Sequence, residues 1–431
     1  MRRIEVFAES EDDEQIIERV AALDIGKAEV VCCVRLPAPA GKVRRVQEVT
    51  THSAMVGSLS DLANRLVDLG VERVVMEATS DYWRPPFYLF EAHGLQPWLV
   101  NAKDVRHLPG RPKTDVLDAA WLCKVAERQM LRPSFVPPAD IRRLRGLTRD
   151  RVDLVNARNA TKNRVEKLLE EACIKLSVIA SDIHGVSGRA MMDAMIAGER
   201  NPKVLADLAR SRMRSKIHLL EDAFAGLKVG TFDDSHRFRL KMMLERIDRD
   251  NADIAAMEAQ IEVLLAPFGD AVARLDEIPG VGPKAAAVII AEVGLDMSRF
   301  PTPGHLASWA RFAPGIKSSA GKSKGNGTTG HGNRYLARVI GEAALSAGKT
   351  DTFLGARYRR IARRRGKKKA MVAVGRSILT IVWHLLADPD AQFHDLGPDH
   401  YDKRVSTTAK RRSHIRGLEA LGYNVTLQPA A

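Results

Sequence analysis

Residues 19–36 of the chain read RVAALDIGKAEVVCCVRL, two apolar runs separated by a short turn. Residues 42–52, KVRRVQEVTTH, then alternate polar and apolar side chains as a half-exposed strand does. The adjacent Cys32 and Cys33 lie within the second apolar run, where we interpret them as small strand hydrophobes. The three segments therefore predict three consecutive strands in a meander.

The next segments alternate helix and strand patterns. They are a helix with a serine start signal and Gly70 as its stop (SLSDLANRLVDLG, 58–70), a buried strand (VERVVMEA, 71–78), a short helix (PPFYLFEAHG, 85–94) and a strand (LQPWLVN, 95–101). TDVLDAAWLCKVAERQM (114–130) closes the series as a helix with Thr114 at its N-cap. A meander followed by alternating helices and strands is the order of an RNase H-like (RuvC-like) α/β fold, here over residues 19–135, with helices on the faces of a mixed sheet.

Strand patterns end near residue 139, and two helical regions follow. Residues 139–265 carry apolar side chains at three-to-four spacing with charges between them, which predicts a long helix or coiled coil. The seam consists of Ile141, Leu144, Val152, Val155, Val165, Leu169 and Leu176, with polar Thr148, Asn159 and Lys162 interrupting it. Residues 266–402 predict a mainly helical domain, broken by the loop KSSAGKSKGNGTTGHGN (317–333), and residues 403–431 form a basic tail.

Composition favours a polyanionic partner. The chain has 431 residues with 67 Lys+Arg against 53 Asp+Glu, a formal net charge of +14 and a pI near 9.7. Such an excess is typical of proteins that bind nucleic acid. The four cysteines show no C-x-x-C pairing or metal-ligand spacing, so neither a disulfide framework nor a zinc site is predicted. No signal segment is recognised and the apolar stretches look too short to span a bilayer, so we expect a cytoplasmic protein without a membrane partner.

Four acidic residues lie where an RNase H-like fold would bring them together. Asp24 ends the first strand pattern and Glu77 the fourth, while Asp115 and Asp118 share one face of the closing helix. Such a cluster is repulsive unless divalent cations compensate it, and oxygen-only ligands suit Mg²⁺ or Mn²⁺. Two such ions serve phosphoryl transfer by activating the attacking oxygen and stabilising the leaving one. The alternative is that the four are a turn former, a surface charge and first-turn helix acids.

A second candidate site is the turn in LDEIPGVGPKAAAVIIAEVG (275–294), which looks like a helix-hairpin-helix. Backbone N–H groups of Gly280 and Gly282 would meet a DNA phosphate at the helix N-terminus without reading sequence. A tight turn between two helices, with no ligand, explains the same residues equally well.

Taken together, several of these motifs resemble the DEDD transposases of the insertion-sequence "one-ten" family. The resemblance is carried by the DIG strand end, the MEAT strand end, KTDVLDA, the stretch FPTPGHLASWARFAPGIKSSAGKSKGNGTTGHGNRYLARVIGEAA and the later TFLGARYRRIARRRGKKKAMVAVGRSILTIVWHLL. It covers residues 19–402 in the family's order and spacing.

The resemblance implies an active site with two parts. Asp24, Glu77, Asp115 and Asp118 would bind the metal in the RuvC-like domain. A serine in an S-A-G-K loop, here Ser319, would attack the DNA phosphodiester and form a covalent phosphoserine intermediate in the transposase domain of residues 266–402. The neighbouring Ser318 is the alternative nucleophile. Lys322, Lys324 and Arg334 would hold phosphates. A serine is a poor nucleophile by itself and needs a base or a metal to activate it, and the four carboxylates would supply the metal.

Family members are also guided by a structured RNA that pairs with donor and target DNA, so the resemblance implies a guide RNA here. Base pairing would then select the sequence while the protein reads backbone and shape. Oligomers, dimers or tetramers, are expected because strand exchange handles four strands and the long helix offers a dimer seam.

Two runs of basic residues are candidates for phosphate contact. The first, without an acid nearby to balance it, is Arg357, Arg359, Arg360, Arg363, Arg364, Arg365, Lys367, Lys368 and Lys369. The second loads the start of the long helix with Arg142, Arg143, Arg145, Arg149, Arg151 and Arg158, for which a solvated helix face is an equally good interpretation.

Two rival functions stay open on the sequence. A RuvC-like Holliday-junction resolvase would use the four acids and need no serine. An inactive transposase remnant would bind nucleic acid without forming a covalent adduct. A 3′-5′ exonuclease is disfavoured because that class carries a glutamate two residues after its first aspartate, whereas Ile25 and Gly26 follow Asp24.

Overall fold

A computed structural model describes residues 16–38, 45–78, 80–102, 105, 114–315, 317–319, 322–324, 329–330, 332–401 and 407–427. The side chains of residues 115, 228, 229, 317–319, 322–324, 407–410 and 413 lie outside this description. The chain forms two compact units, residues 1–137 and 138–431. The further division of the second unit into helical, transposase and tail domains stays a prediction.

The first unit is built on a five-stranded mixed sheet. Its elements are β1 (Val20–Ile25), β2 (Glu29–Leu36), β3 (Val46–Ser53), α1 (Val56–Asp68), β4 (Arg73–Glu77), α2 (Arg84–Ala92), β5 (Pro97–Val100) and α3 (Asp115–Glu127). The strand order is β3-β2-β1-β4-β5, with β2 antiparallel to both of its neighbours β1 and β3, β4 parallel to β1, and β5 parallel to β4. This arrangement is compatible with an RNase H-like fold and confirms the predicted meander.

Each face of the sheet has its own core, because side chains of a strand alternate between the faces. Ala21 and Leu23 of β1 pack with Met76 of β4 on the face that α1 and α2 cover. Val20 and Ala22 pack on the opposite face, which α3 covers. The predicted strand cysteines follow this alternation, with Cys32 in the first core and Cys33 in the second, and both are buried.

The second unit is helical. Its elements are α4 (Ala139–Glu171), α5 (Leu176–Ile179), α6 (Val186–Ile196), α7 (Pro202–Asp207), α8 (Ile217–Ala223), α9 (Asp234–Leu265), α10 (Gly269–Asp276), α11 (Pro283–Val293), α12 (Pro303–Trp309), the hairpin strands β6 (Lys317–Ser319) and β7 (Lys322–Lys324), α13 (Arg334–Ala347), α14 (Phe353–Arg365), α15 (Lys367–Ala387) and α16 (Thr407–Glu419). Short 3₁₀ turns connect several of them.

The two longest helices, α4 and α9, pack against each other within one chain. Arg151 binds Glu258 at 2.8 Å, Arg158 binds Asn251 at 2.8 Å, and Arg239 binds Glu171 at 3.2 Å. Because the residue numbers fall on α9 as they rise on α4, the two helices run antiparallel. The predicted long helix is confirmed, although it ends at Glu171 and Leu176 belongs to the separate α5.

Two details of the sequence interpretation need correction. α1 begins at Val56 behind Met55, without a side-chain cap, rather than at a serine start signal; Gly70, with φ of 63°, follows its end as expected.

α15, with 21 residues, is the one helix in the described parts of the chain that is long and apolar enough to cross a membrane. Its apolar side chains instead include buried core residues such as Val374, Ile378 and Val382.

Gly375 lets α15 pack closely against Phe312, which precedes the loop of residues 317–333. A Cβ at Gly375 would lie 2.5 Å from Cε1 of Phe312 and 2.9 Å from Cγ2 of Ile340. We expect Gly375→Ala to lower the free energy of unfolding by about 1–3 kcal/mol through overpacking. The matched control is Gly146→Ala in α4, where no atom lies within 4 Å; a gain of about 0.5–1 kcal/mol is expected there. Urea unfolding followed by circular dichroism measures both, and equal effects would contradict the packing argument.

Candidate active site

Asp24 and Glu77 lie at neighbouring strand ends on one face of the sheet. β1 and β4 are parallel with Leu23 opposite Met76, so Asp24 and Glu77 are the next residues along each strand. By the alternation of strand side chains, both belong to the face of Val20, Ala22 and Val75 that α3 covers. Both are half-buried. The backbone register thus brings the first two predicted acids to the same edge.

The first turn of α3 lies toward that edge. Near the other end of the helix, Cys123 Sγ donates to Val20 O at 3.4 Å, and Glu127 O accepts from Ile17 N at 3.0 Å. The helix therefore runs antiparallel to β1. Rises of roughly 1.5 Å per helical residue and 3.3 Å per strand residue carry Asp115 about 12 Å beyond Cys123, and Asp24 about 13 Å beyond Val20.

Asp118 is half-buried one turn further along α3, and its amide nitrogen donates to Thr114 O at 2.7 Å. Thr114 occupies the predicted N-cap position, although its side chain makes no capping hydrogen bond. Among the side chains that the structure describes, no three acids, histidines or cysteines are grouped as metal ligands. The Asp115 side chain lies outside that description. The donors at this edge are carboxylate oxygens, which is the chemistry that a hard divalent cation requires.

Ser319 is the last residue of β6, the first strand of a small β-hairpin, rather than part of an irregular loop. β6 and β7 are antiparallel, with Ser318 opposite Ser323 and Ser319 opposite Lys322. Ser319 and Lys322 are thus the paired residues that lie nearest to each other in sequence. The side chains of Ser318, Ser319, Lys322 and Lys324 fall outside the described part of the chain, so their predicted roles stay predictions.

The predicted helix-hairpin-helix turn lies between α10 and α11. Gly282 is the N-cap residue of α11, with no side-chain cap. Gly280 has φ of 89°, and a Cβ there would lie 2.3 Å from Ala343 O and 2.8 Å from Ala347 N of α13. Close packing of the turn against a helix backbone is therefore sufficient to require glycine at position 280. Both glycines also line a cleft of about 390 Å³.

The cations beside this cleft are already paired. Arg151 and Lys284 both bind Oε1 of Glu258, at 2.8 and 2.6 Å. Arg338 donates to Asn156 Oδ1 at 2.6 Å and binds Glu342 at 2.9 Å. The cleft therefore offers a phosphate less free positive charge than its sequence suggests.

The structure divides the C-terminal basic run into two groups. Arg357 donates to the Tyr401 hydroxyl at 2.7 Å, Arg360 lies 3.8 Å over the Tyr401 ring, and Arg359 binds Thr350 O at 2.8 Å. The other six cations are exposed, and none forms an ion pair within the described residues. They occupy the last turn of α14 and the first turn of α15 on either side of Gly366, and we call them the basic corner: Arg363, Arg364, Arg365, Lys367, Lys368 and Lys369.

The arginines of α4 behave differently. Arg145, Arg149, Arg151 and Arg158 all contact polar groups of α9 or α11 inside the unit. Arg143 pairs with Asp140 on the surface. Structural pairing therefore accounts for most of this group.

Sequence reasoning did not single out Glu292, the acid in α11 that receives two of these arginines. Its side chain is 0% exposed. Arg149 donates to both carboxylate oxygens, from Nε at 2.7 Å and Nη2 at 2.8 Å, and Arg145 Nε lies 3.5 Å from Oε2. Asn333 donates to the same Oε2. The only available signal was an acid within the apolar run AAAVIIAEVG, where a charge must be paired if it is buried.

Comparison with known proteins connects both units to one family. A model described as "Transposase", of the DEDD IS110 type, matches residues 21–174, and a model of the "Transposase IS116/IS110/IS902 family" matches residues 272–359. The first match contains all four acids, and the second contains Gly280, Glu292 and Ser319.

Individual relatives agree with the family models. The insertion element IS110 uncharacterized 43.6 kDa protein of Streptomyces coelicolor is 28% identical over 312 residues, 68% of this chain and 75% of its own length. A probable family 20 transposase of Pseudomonas aeruginosa is 27% identical over 286 residues, 64% of this chain and 72% of its own. The insertion element IS116 uncharacterized 44.8 kDa protein of Streptomyces clavuligerus is 25% identical over 331 residues, 70% of this chain and 78% of its own.

Gly280→Ala separates the packing role of this glycine from a phosphate-binding role. The clash with α13 and the positive φ lead us to expect a loss of about 3 kcal/mol or more in the free energy of unfolding. Gly282→Ala is the control, because no atom lies within 4 Å of its Cβ position; a loss of about 0.5 kcal/mol is expected. Denaturant unfolding and DNA binding are measured together. A Gly280→Ala protein with full stability and weakened DNA binding would refute the packing account.

Proposed function

We propose, for a chain that belongs to the IS110 ("one-ten") family of DNA transposases, that it cuts and rejoins DNA strands of an insertion sequence through a phosphoserine intermediate. The observation that carries the proposal is that the two family matches fall on the acid-bearing sheet and on the serine-bearing segment. Transposase activity itself follows from family membership, and the serine, the metal and the guide RNA are the proposed parts.

Four carboxylates would hold the divalent metal: Asp24, Glu77, Asp115 and Asp118. The register of β1 and β4 and the direction of α3 support this set, since they direct three sequence-distant segments to one edge of the sheet. Bound Mg²⁺ or Mn²⁺ would lower the cost of charge on the attacking and leaving oxygens.

The serine step conserves one phosphodiester bond. Ser319 Oγ attacks the phosphorus, an Oγ–P bond forms, and the bond from phosphorus to the leaving strand's oxygen breaks. The proton lost by the serine hydroxyl is balanced by the proton that the leaving oxygen gains. The hydroxyl of a second strand then attacks the phosphoserine and regenerates Ser319, so no nucleotide cofactor is consumed.

Nucleic acid would be held mainly by the basic corner, whose six exposed cations have no acid partner in the described chain. Lys322, Lys324, Arg334 and the Gly282 end of α11 are proposed additional phosphate contacts. Arg334 already binds Asp153 at 3.2 Å, so a phosphate there would compete with a carboxylate. A guide RNA, a homo-oligomer with α4 and α9 as the coiled-coil element, and a cytoplasmic location complete the proposal.

Replacing the serine distinguishes strand transfer from hydrolysis. Ser319→Ala should abolish the covalent protein–DNA adduct seen on denaturing gels and lower joining by at least about 1,000-fold, because the nucleophile is absent. Ser318→Ala, one residue earlier in β6, is the matched control and should keep both. Full cleavage by Ser319→Ala would favour the resolvase alternative, and adduct loss only in Ser318→Ala would move the nucleophile by one residue.

The acids are tested by the metal dependence of the same adduct. Removing divalent cations with a chelator should stop adduct formation while DNA binding is retained, and added Mg²⁺ or Mn²⁺ should restore it. Asp118→Asn keeps the size of the side chain and should lower the adduct rate by at least about 100-fold at saturating metal. Asp61→Asn, at an exposed position of α1, is the control. An adduct that forms equally in chelator would exclude the metal site.

A further inference from the structure

We propose that Glu292 is a positioning residue for the serine hairpin, which is formed by β6 and β7 and carries Ser319. Its buried carboxylate holds Asn333, the residue at which the chain re-enters the helical core after the hairpin. The inference rests on the proposed serine chemistry for its functional consequence, but its structural part stands on contacts within one unit. Glu292 lies in α11, inside a helical core, and α12 separates it in sequence from the hairpin.

Asn333 connects Glu292 to the loop's exit through two different atoms. Its side-chain nitrogen donates to Glu292 Oε2, while its Oδ1 accepts from the backbone nitrogens of Tyr335 at 3.0 Å and Leu336 at 3.2 Å. Asn333 is thus the N-cap of α13 and the last residue before that helix. One side chain therefore joins the start of α13 to the buried acid.

Glu292 is itself held by α4. Arg145 donates to Ala291 O at 2.8 Å and Glu292 O at 2.9 Å, and Arg149 holds the carboxylate with two bonds. Although burial opposes it, the Glu292 carboxylate raises the pKa of Arg149 above its ordinary value. A buried bidentate pair of this kind has strict geometry, and removing one partner leaves an uncompensated charge.

The chain segment that leads into the hairpin contacts the segment that leaves it, at Arg311 and Gly332. Arg311 adopts φ of 62°, and a Cβ at Gly332 would lie 2.7 Å from its Cγ and 3.3 Å from Ala310 O. The following Phe312 is buried in the core of the unit. Residues 311 and 332 are therefore in contact, so the hairpin emerges from a closed base, and Glu292 anchors the exit side of that base.

The chemistry explains why such an anchor matters. A nucleophile must lie within a fraction of an ångström of its attack position, and a displacement of about 1 Å costs on the order of 100-fold in rate. An anchor set by charge and two-point hydrogen bonding is more restrictive than apolar contact alone. The buried acid thus acts through Asn333 and not on the DNA.

Glu292→Gln tests the inference in the full-length chain. Trypsin cleavage after the hairpin lysines Lys317, Lys322 and Lys324, followed by mass spectrometry, should accelerate at least about tenfold, because cleavage tracks local opening. The rate of adduct formation at saturating DNA should fall about 100-fold, with DNA affinity unchanged. Asp248→Asn, which breaks the bidentate pair with Arg189 between α6 and α9, is the matched control and should change neither readout.

Two further variants keep the test decisive if Glu292→Gln folds poorly. Asn333→Ser retains an N-cap acceptor but removes the amide nitrogen that donates to Glu292, so faster hairpin cleavage with a normal melting temperature is expected. Adding Asn333→Asp to Glu292→Gln returns one carboxylate to the site and should recover part of the adduct rate.

Unchanged hairpin cleavage in both Glu292→Gln and Asn333→Ser overturns the inference, whatever the adduct does. An adduct that persists in Ser319→Ala would overturn the serine proposal alone, because hairpin cleavage does not depend on which residue attacks. Faster cleavage in Asp248→Asn as well would reduce the effect to general destabilisation and also refute the anchor.

Discussion

The parallel pairing of β1 with β4 is the constraint on which the acid site depends. Strand side chains alternate between faces, so the register that sets Leu23 opposite Met76 also sends Asp24 and Glu77 to one face. A slip of one residue in either strand would reverse the face of one acid and bury it among the residues under α1 and α2. Apolar Val20, Ala22 and Val75 on one side and Leu23 and Met76 on the other make that slip costly.

Most of the first unit could be predicted because its elements are short and their patterns are local. The β2 strand and the α3 helix behind Thr114 were predicted from an apolar run and from an N-cap position, and both elements occur as expected. The start of α1 was misplaced because Val56 enters the helix behind Met55, which gives no capping signal. The same local reasoning found Asp24 and Glu77 at strand ends and Asp115 and Asp118 on one helix face. The family resemblance then supported a metal-binding role for all four.

The second unit was harder to predict because its decisive contacts join residues far apart in sequence. Arg149 and Glu292 are separated by 143 positions, and each alone is an ordinary helix residue. Likewise, nothing local to α4 reveals that its arginines are paired with α9 and α11. Charge counting therefore overestimated the cations free for phosphate along α4. It was more accurate for the C-terminal run, where eight of nine cations are exposed.

The basic corner has an energetic asymmetry of its own. Arg363, Arg364 and Arg365 lie at the C-terminal end of α14, where the helix dipole favours positive charge, whereas Lys367, Lys368 and Lys369 lie at the N-terminal end of α15, where it opposes it. At low ionic strength, therefore, the packing of the core side chains later in α15 keeps its first turn helical despite this repulsion. An anion seated there relieves that repulsion, so occupancy and helix integrity are thermodynamically linked, and ionic strength acts on both at once.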